Sequence, residues 1–346
     1  METAKQQEEL NPSKIMQVGM GFWASKTLLS AVNMSLFTHL AEGDMTGDEI
    51  KSKLGLHERS LYDFLDTLVA LGFLEREGLK ETSVYSNTPE TDLFLDENKP
   101  TFVGGMLKMA NNRLFRYWND LEEGLRTGLP QNETKHGGKM IFDALYEDPE
   151  KLLEFVNAMA GISMANFAAF AEKFDFNGVE TVCDVGGAGG HLSMQIVTKN
   201  DGVNCTTFDL PGVCEVAEEN IKNWGLTDRI KTQPGDFFTD EFPKADVVTM
   251  GMILHDWGLD EKKMLMRKAF DALPDGGALV AIENIIDDNR SENAFGLMMS
   301  LNMLIEFDKA FDFSGADFTE WAKEIGFRET SVMHLAGPAS AAIAIK

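Results

Sequence analysis

Cysteine, histidine and positive charge are all in short supply. Three cysteines and six histidines serve 346 residues, and 31 Lys and Arg face 56 Asp and Glu, for a net charge of −25. Cys183, Cys205 and Cys214 form no CxxC pair. Cys183 and Cys205 sit in apolar, strand-like runs and read as buried small hydrophobes, which suits a reducing cytoplasm. His39, His57, His136 and His334 show no ligand spacing with one another or with the cysteines, so no metal is expected. The shortage of cations argues against nucleic acid, whose phosphates need Lys and Arg to displace counterions. It equally disfavours an anionic membrane surface. The opening METAKQQEEL has no signal-peptide core. The most membrane-like stretch, GFWASKTLLSAVNMSLFTHL, is interrupted by Lys26, Asn33 and His39 and follows the spacing of one long amphipathic helix, so no membrane partner is expected.

What is present suffices for two domains with cores of their own. A hydrophobic fraction of 44% and a charged fraction of 25% are those of a soluble globular chain. Residues 1–100 read as helices followed by two short strands. Thr46 is placed to cap a helix over TGDEIKSKLGL, with Glu49 as its capping-box partner. A turn at Gly55 leads to a second helix, apolar at Leu61, Phe64, Leu65, Leu68 and Val69, which is helix–turn–helix spacing. Two strand-like runs around Gly78 complete a winged-helix pattern. The second helix carries Arg59 as its one basic residue against Glu58, Asp63 and Asp66, so the module is expected to pack or dimerise rather than hold DNA. Residues 101–175 read as a helical connecting region rich in Met and aromatics, among them Met106, Phe115, Trp118, Phe142, Met159 and Phe167. Most belong to a core; a minority would line an apolar cleft.

Residues 176–346 repeat strand, loop and helix. TVCDV, NCTTFDL, IKTQPGDFF, ADVVTMGMILH and GALVAIENII read as successive strands at crossover spacing, and SVMHLA and AAIAIK close the chain as a pair. The expected fold is α/β: a Rossmann-like, doubly wound, seven-stranded domain preceded by a mostly helical winged-helix domain. The first strand ends in DVGGAGG, Asp184 to Gly190, where glycines let the backbone approach a ligand at a helix N-terminus. This is not the dinucleotide GxGxxG, and alone it selects no cofactor. The second strand ends at Asp209, suited to ribose hydroxyls; the third ends in PGDFF, where Asp236 could accept from an adenine amino group and Phe237 could pack on the ring. Each acid alone could be a solvated loop residue. Together, at successive strand ends on the edge where open sheets bind ligands, they indicate an adenosine-containing cofactor.

In order, DVGGAGG, FDLPGV, GDFF, MILHDW, VAIEN and FTEWAKEIGF resemble the S-adenosylmethionine-dependent O-methyltransferases of the caffeate and hydroxyindole type. The likeness extends over the N-terminal module, which in that family forms a domain-swapped dimer, so a homodimer is implied. The resemblance implies S-adenosylmethionine as cofactor, S-adenosylhomocysteine as product, no metal, and a small, aromatic hydroxyl acceptor. It implies contacts from Asp184, Gly186, Gly187, Asp209, Leu210, Asp236, Phe237 and Met250 to the cofactor. Gly251 stands where plant members often carry a cofactor-contacting lysine. It makes His255 the general base, flanked by Glu283 and by Asp312, the latter in a local sequence unlike the plant one. Met159, Met303 and Phe307 would border the acceptor. Asp256 would position the loop and Trp257 would pack. A lone histidine after an apolar run is usually structural; its place opposite the glycine turn favours the base, since a phenol near pKa 10 is a poor nucleophile until it loses its proton. N- or C-methylation, a member of the same fold drifted to another reaction that uses S-adenosylmethionine, a cofactor-sensing winged-helix regulator and a nicotinamide oxidoreductase are the alternatives.

Overall fold

The computed structural model describes residues 10–139, 145 and 147–346; Phe142 and the opening METAKQQEE lie outside them. The chain divides into two compact units, one ending at Leu114 and the other beginning at Phe115.

In the first unit, Thr46 and Glu49 form the expected capping box, the Thr46 amide donating to Glu49 Oε2 at 2.7 Å, and open the helix Gly47–Leu54. Gly55, with φ +68°, ends it in the left-handed conformation that costs glycine nothing. The helix Glu58–Ala70 then buries Leu61, Leu65 and Leu68, an i, i+4, i+7 stripe, against Leu36, Phe37, Ile50 and Tyr85. β2 (Leu74–Glu77) and β3 (Val84–Asn87) pair antiparallel around Gly78, with β1 (Met45–Thr46) on the far side of β3. Tyr85 and Arg76 from this sheet both reach Asp66 on the helix, at 2.8 and 2.7 Å. The stretch read as one long helix is two, Gly21–Asn33 and Leu36–Ala41, broken where Ser35 takes φ +55°. Polar Asn33 and Ser35 at the break let the second piece turn Leu36 and Phe37 fully into the core. The described helix most apolar over a bilayer's length is Lys151–Lys173, with a mean hydropathy of 1.3, rather than Gly21–Leu40.

The second unit carries a seven-stranded sheet of order β6-β5-β4-β7-β8-β10-β9. Its strands are β4 (Thr181–Val185), β5 (Asn204–Asp209), β6 (Ile230–Pro234), β7 (Val247–Gly251), β8 (Ala278–Glu283), β9 (Glu329–His334) and β10 (Ser340–Ile345). β4 to β8 are parallel; β10 is antiparallel to both of its neighbours. This is the doubly wound α/β fold that the alternation predicts.

Residues alternate between two cores, as a sheet covered on both faces requires. Cys183, Val185, Val248 and Leu279 face the helices Leu259–Ala272 and Gly315–Ile325. Val182, Val247 and Val280 face Phe170, Leu192 and Ile221 on the helices Pro149–Lys173, His191–Lys199 and Pro211–Asn223. Each fully buried Leu, Ile or Val contributes about 1.5–3 kcal/mol, so these two layers fix the sheet and, with it, the line of strand ends where β4 and β7 diverge.

Candidate active site

That line of carboxyl-terminal strand ends and the turns beyond them hold the cofactor candidates, His255 and Glu283; Asp312 lies on a loop, and Met159, Met303 and Phe307 on or next to helices. After β4 the chain turns through Gly186, whose amide donates to the Phe208 carbonyl at 2.9 Å and whose φ is +67°. A Cβ on Gly186 would fall 2.3 Å from Ile253 Cδ1, and one on Gly187 would fall 2.6 Å from Thr207 Cγ2. The turn therefore presents bare backbone. Asp209, at the end of β5, braces it: Asp209 Oδ2 accepts from the Ala188 amide at 2.9 Å and Oδ1 from the Leu210 amide at 2.7 Å. Burial pushes the Asp209 carboxyl up to about 6, against the two amides that favour its charge. Each oxygen keeps lone pairs for further donors. Leu210 packs with Ala188 against Leu152 and Val156.

Asp184 has a different setting. It is buried within the sheet, where Thr249 donates to Oδ1 at 2.9 Å and Ser193 to Oδ2 at 3.4 Å, so its carboxyl ties β4, β7 and the following helix together. Met250 is likewise fully buried, among Val185, Phe208 and Ile285. Gly251 adjoins Phe167, whose Cε1 would lie 3.1 Å from a Cβ there.

The third strand is shorter than its sequence suggests. β6 stops at Pro234, and Asp236 and Phe237 lie in the turn beyond, where Asp236 Oδ1 accepts from the Phe238 amide at 2.8 Å. The last rung to β5 is the Gly235 amide donating to the Asp209 carbonyl at 2.9 Å, and because β6 is the edge strand the missing amide of Pro234 leaves no neighbour unpaired. Phe237 meets Trp257 edge to face at 5.8 Å, and its Cε1 lies 3.9 Å from where a Gly186 Cβ would stand.

β7 also stops early, at Gly251, so His255 is not on a strand. It lies in a 3₁₀ turn, Leu254–Asp256, entered through Met252 at φ +57°. Glu283, at the end of β8, explains the change: its Oε1 accepts from the Ile253 and His255 amides at 3.2 and 3.3 Å, drawing them out of the ladder. The buried imidazole of His255 thus lies over Glu283 and beside Asp312. Nδ1 is 3.9 Å from Glu283 Oε2 and 3.6 Å from Asp312 Oδ1, while Nε2 is 3.3 Å from Asp256 Oδ1. Nδ1, Glu283 Oε2 and both Asp312 oxygens are buried without a hydrogen bond among the described residues. The Asp256 contact has no sequence signal beyond adjacency.

Burial opposes charge on His255, but Asp256, Glu283 and Asp312 outweigh it and raise the imidazole to about 10. Burial raises Glu283 to about 7 and Asp256 to about 6, against the pull of the imidazole. These tendencies compete for the same protons. We take the imidazolium–carboxylate state as dominant, because one imidazole faces three carboxylates. Met303 and Phe307 form a small buried cluster with Ala310 and Met299 at the end of the helix Ala294–Glu306. Met159 is half-buried on the helix Pro149–Lys173 and is not part of it.

Two domain families match the chain: an O-methyltransferase dimerisation domain over residues 16–97 and an O-methyltransferase domain over residues 118–328. The tetracenomycin polyketide synthesis 8-O-methyl transferase of Streptomyces glaucescens is 37% identical over 97% of both chains. The N,N-dimethyltransferase OxyT of Streptomyces rimosus is 30% identical over 91% of this chain and 90% of its own. Among solved structures, human N-acetylserotonin methyltransferase in complex with S-adenosylmethionine superposes with a TM-score of 0.89 at 25% identity, covering 99% of each chain. With its parallel strand ends arranged as in that enzyme's fold and both of its units matched in order, the chain belongs to the S-adenosylmethionine-dependent O-methyltransferases.

Proposed function

We propose that this enzyme methylates a hydroxyl of a small aromatic acceptor, with His255 as general base. The observation that carries the reading is the buried imidazole set among three carboxylates, beyond the strand end next to the glycine turn. Bound S-adenosylmethionine supplies an electrophilic methyl group on a sulfonium.

The residues fit that group. The bare backbone at Gly186 and Gly187 admits close approach, and a side chain at either position would collide with its neighbours. Asp209, braced by the Ala188 amide, would receive the ribose hydroxyls; Asp236 and Phe237 would hold the adenine. Asp184, Leu210 and Met250 would shape the floor from within the fold. On the acceptor side, the imidazole would act as base once Nε2 has lost its own proton; Glu283 and Asp312, 3.9 and 3.6 Å from Nδ1, would close on Nδ1–H, leaving Nε2 to take the hydroxyl proton and Asp256 to be displaced from it. The two carboxylates then stabilise the imidazolium. Met303 and Phe307, with Met159, would give the acceptor an apolar wall, excluding water and aligning its oxygen with the methyl carbon and sulfur.

The dimerisation-domain match supports a homodimer, and the exposed Ile15, Val18, Phe22 and Trp23 of the first two helices are apolar surface that a second copy would cover. The three free, buried cysteines suit a reducing cytoplasm, and the charge of −25 supports a reading without nucleic-acid or membrane partners. The dimethyltransferase relative favours N-methylation as the second reading. A mass-spectrometric screen of phenols and aromatic amines identifies the acceptor atom. His255→Ala is expected to bind S-adenosylhomocysteine normally and lose most turnover; unchanged turnover removes the general-base role.

A further inference from the structure

Lys262 is fully buried, the one lysine or arginine so placed among the described residues. It lies on the helix Leu259–Ala272, directly after the turn that carries His255. Its Nζ donates to the Trp257 carbonyl and stands 3.8 Å above the Phe311 ring and 5.9 Å from Phe313. One ammonium thus grips the His255–Trp257 turn on one side and the Phe311–Phe313 segment, with Asp312 at its centre, on the other.

A buried ammonium is costly unless it is paired. Here the compensation comes from one carbonyl, two aromatic faces and four carboxylates: Asp256 on the turn, Glu283 on β8, Asp312 on the loop and Glu261 on its own helix. Glu306, on the helix Ala294–Glu306, adds to the negative field at Asp256. Three of these carboxylates are the ones that surround the His255 imidazole. A purely structural staple would need the carbonyl and the rings but not this shared set of anions.

We propose that Lys262 is a positioning residue for His255: its ammonium holds together the two segments that carry His255 and Asp312 and offsets the negative charge around the imidazole. This rests on the reading of His255 as the base. The sign follows directly. Burial lowers the Lys262 ammonium to about 8, so its charge acts on the imidazole at neutral pH and is lost in mildly alkaline buffer; with the cation removed at neutral pH, the field at the imidazole is more negative and the imidazolium is favoured.

The test uses Lys262→Met, similar in length but neutral, and Lys262→Gln in the full-length enzyme. With S-adenosylhomocysteine bound, histidine carbon-13 NMR reads the His255 titration, its resonance assigned by its loss in His255→Ala. In the wild type the His255 resonance is expected to show a lower step near pH 8, where Lys262 loses its proton, below the imidazole's own titration; in both variants the lower step is expected to vanish. Turnover at neutral pH is expected to fall roughly tenfold, with KM for S-adenosylmethionine unchanged and recovery in alkaline buffer. A lower step that persists in both variants, or is absent from the wild type, overturns the proposal, as does a loss of turnover equal at all pH values. Loss of S-adenosylhomocysteine binding in both variants assigns Lys262 to folding alone and overturns it equally. The two readings fail separately, because the lower NMR step reports on the field of Lys262 at the imidazole whether or not His255 is the base, whereas retained turnover in His255→Ala strikes only the base.

Discussion

Replacing Asp312 with Asn removes one anion beside His255 while preserving the size of a side chain that is almost entirely buried. Asp312 Oδ1 stands 3.6 Å from Nδ1. At about 4 Å, and with an effective dielectric near 20, such a pair interacts by about 4 kcal/mol; measured shifts from a neighbouring carboxylate run to roughly 1–3 pKa units. His255 begins raised to about 10, with burial opposing and three carboxylates supporting its charge. Taking one away lowers the imidazole, so the neutral form appears at a lower pH. The ascending limb of kcat/KM should therefore move to lower pH by at least about one unit. The height of the plateau should fall, since the weaker base has lost a partner for its imidazolium. At neutral pH the two effects oppose, so a single-pH assay could mislead. The full profile is needed, recorded with the acceptor found by the mass-spectrometric screen and with S-adenosylhomocysteine affinity as a control for folding. An ascending limb that stays in place, or moves to higher pH, refutes the electrostatic account of the cluster.

The other expectations concern the cofactor side and metals. Asp209→Ala should weaken S-adenosylhomocysteine binding by at least about tenfold in calorimetry, the order expected for losing a charge-assisted hydrogen bond; equal affinity would take Asp209 out of the cofactor site. Gly186→Ala should lower stability by about 1–3 kcal/mol in chemical denaturation, because φ is +67° and the added Cβ meets Ile253; unchanged stability and affinity would mean that the turn relaxes. Prolonged dialysis against a chelator should leave turnover intact. Inactivation reversed by a divalent ion would contradict the proton-transfer assignment of His255, Glu283 and Asp312, whose donor atoms lie within 4.8 Å of one another.

Much of the fold was legible because its causes are local. Alternation marked the strands, Thr46 and Glu49 marked a helix start, and successive strand ends brought DVGGAGG, Asp209 and Glu283 to one edge. Strand ends were less legible. β7 runs out just past Gly251 because a carboxylate from β8 captures the Ile253 and His255 amides, and a single segment cannot reveal a long-range partner. Asp312 was likewise reachable from the sequence only through resemblance, since its loop meets His255 by tertiary packing. Lys262 is hidden in the sequence for another reason. In DEKKMLMRK it looks like one more surface charge, yet Lys262, Leu265, Met266 and Ala269 follow i, i+3, i+4, i+7 and share the buried stripe of their helix. Periodicity carried the signal; residue type masked it.

The position of β10 has a consequence for the order in which the enzyme can be built. β8 gains its second neighbour only when β10 inserts between it and β9, with Ser340 registered opposite Glu283. A nascent chain that has delivered the glycine turn, His255 and Glu283 from the ribosome still lacks the strand that closes β8, which leaves that strand's apolar edge unpaired during synthesis. The site therefore gains its final rigidity late and all at once, and the most vulnerable interval for this chain is the one in which its chemistry is already encoded but its sheet is still open.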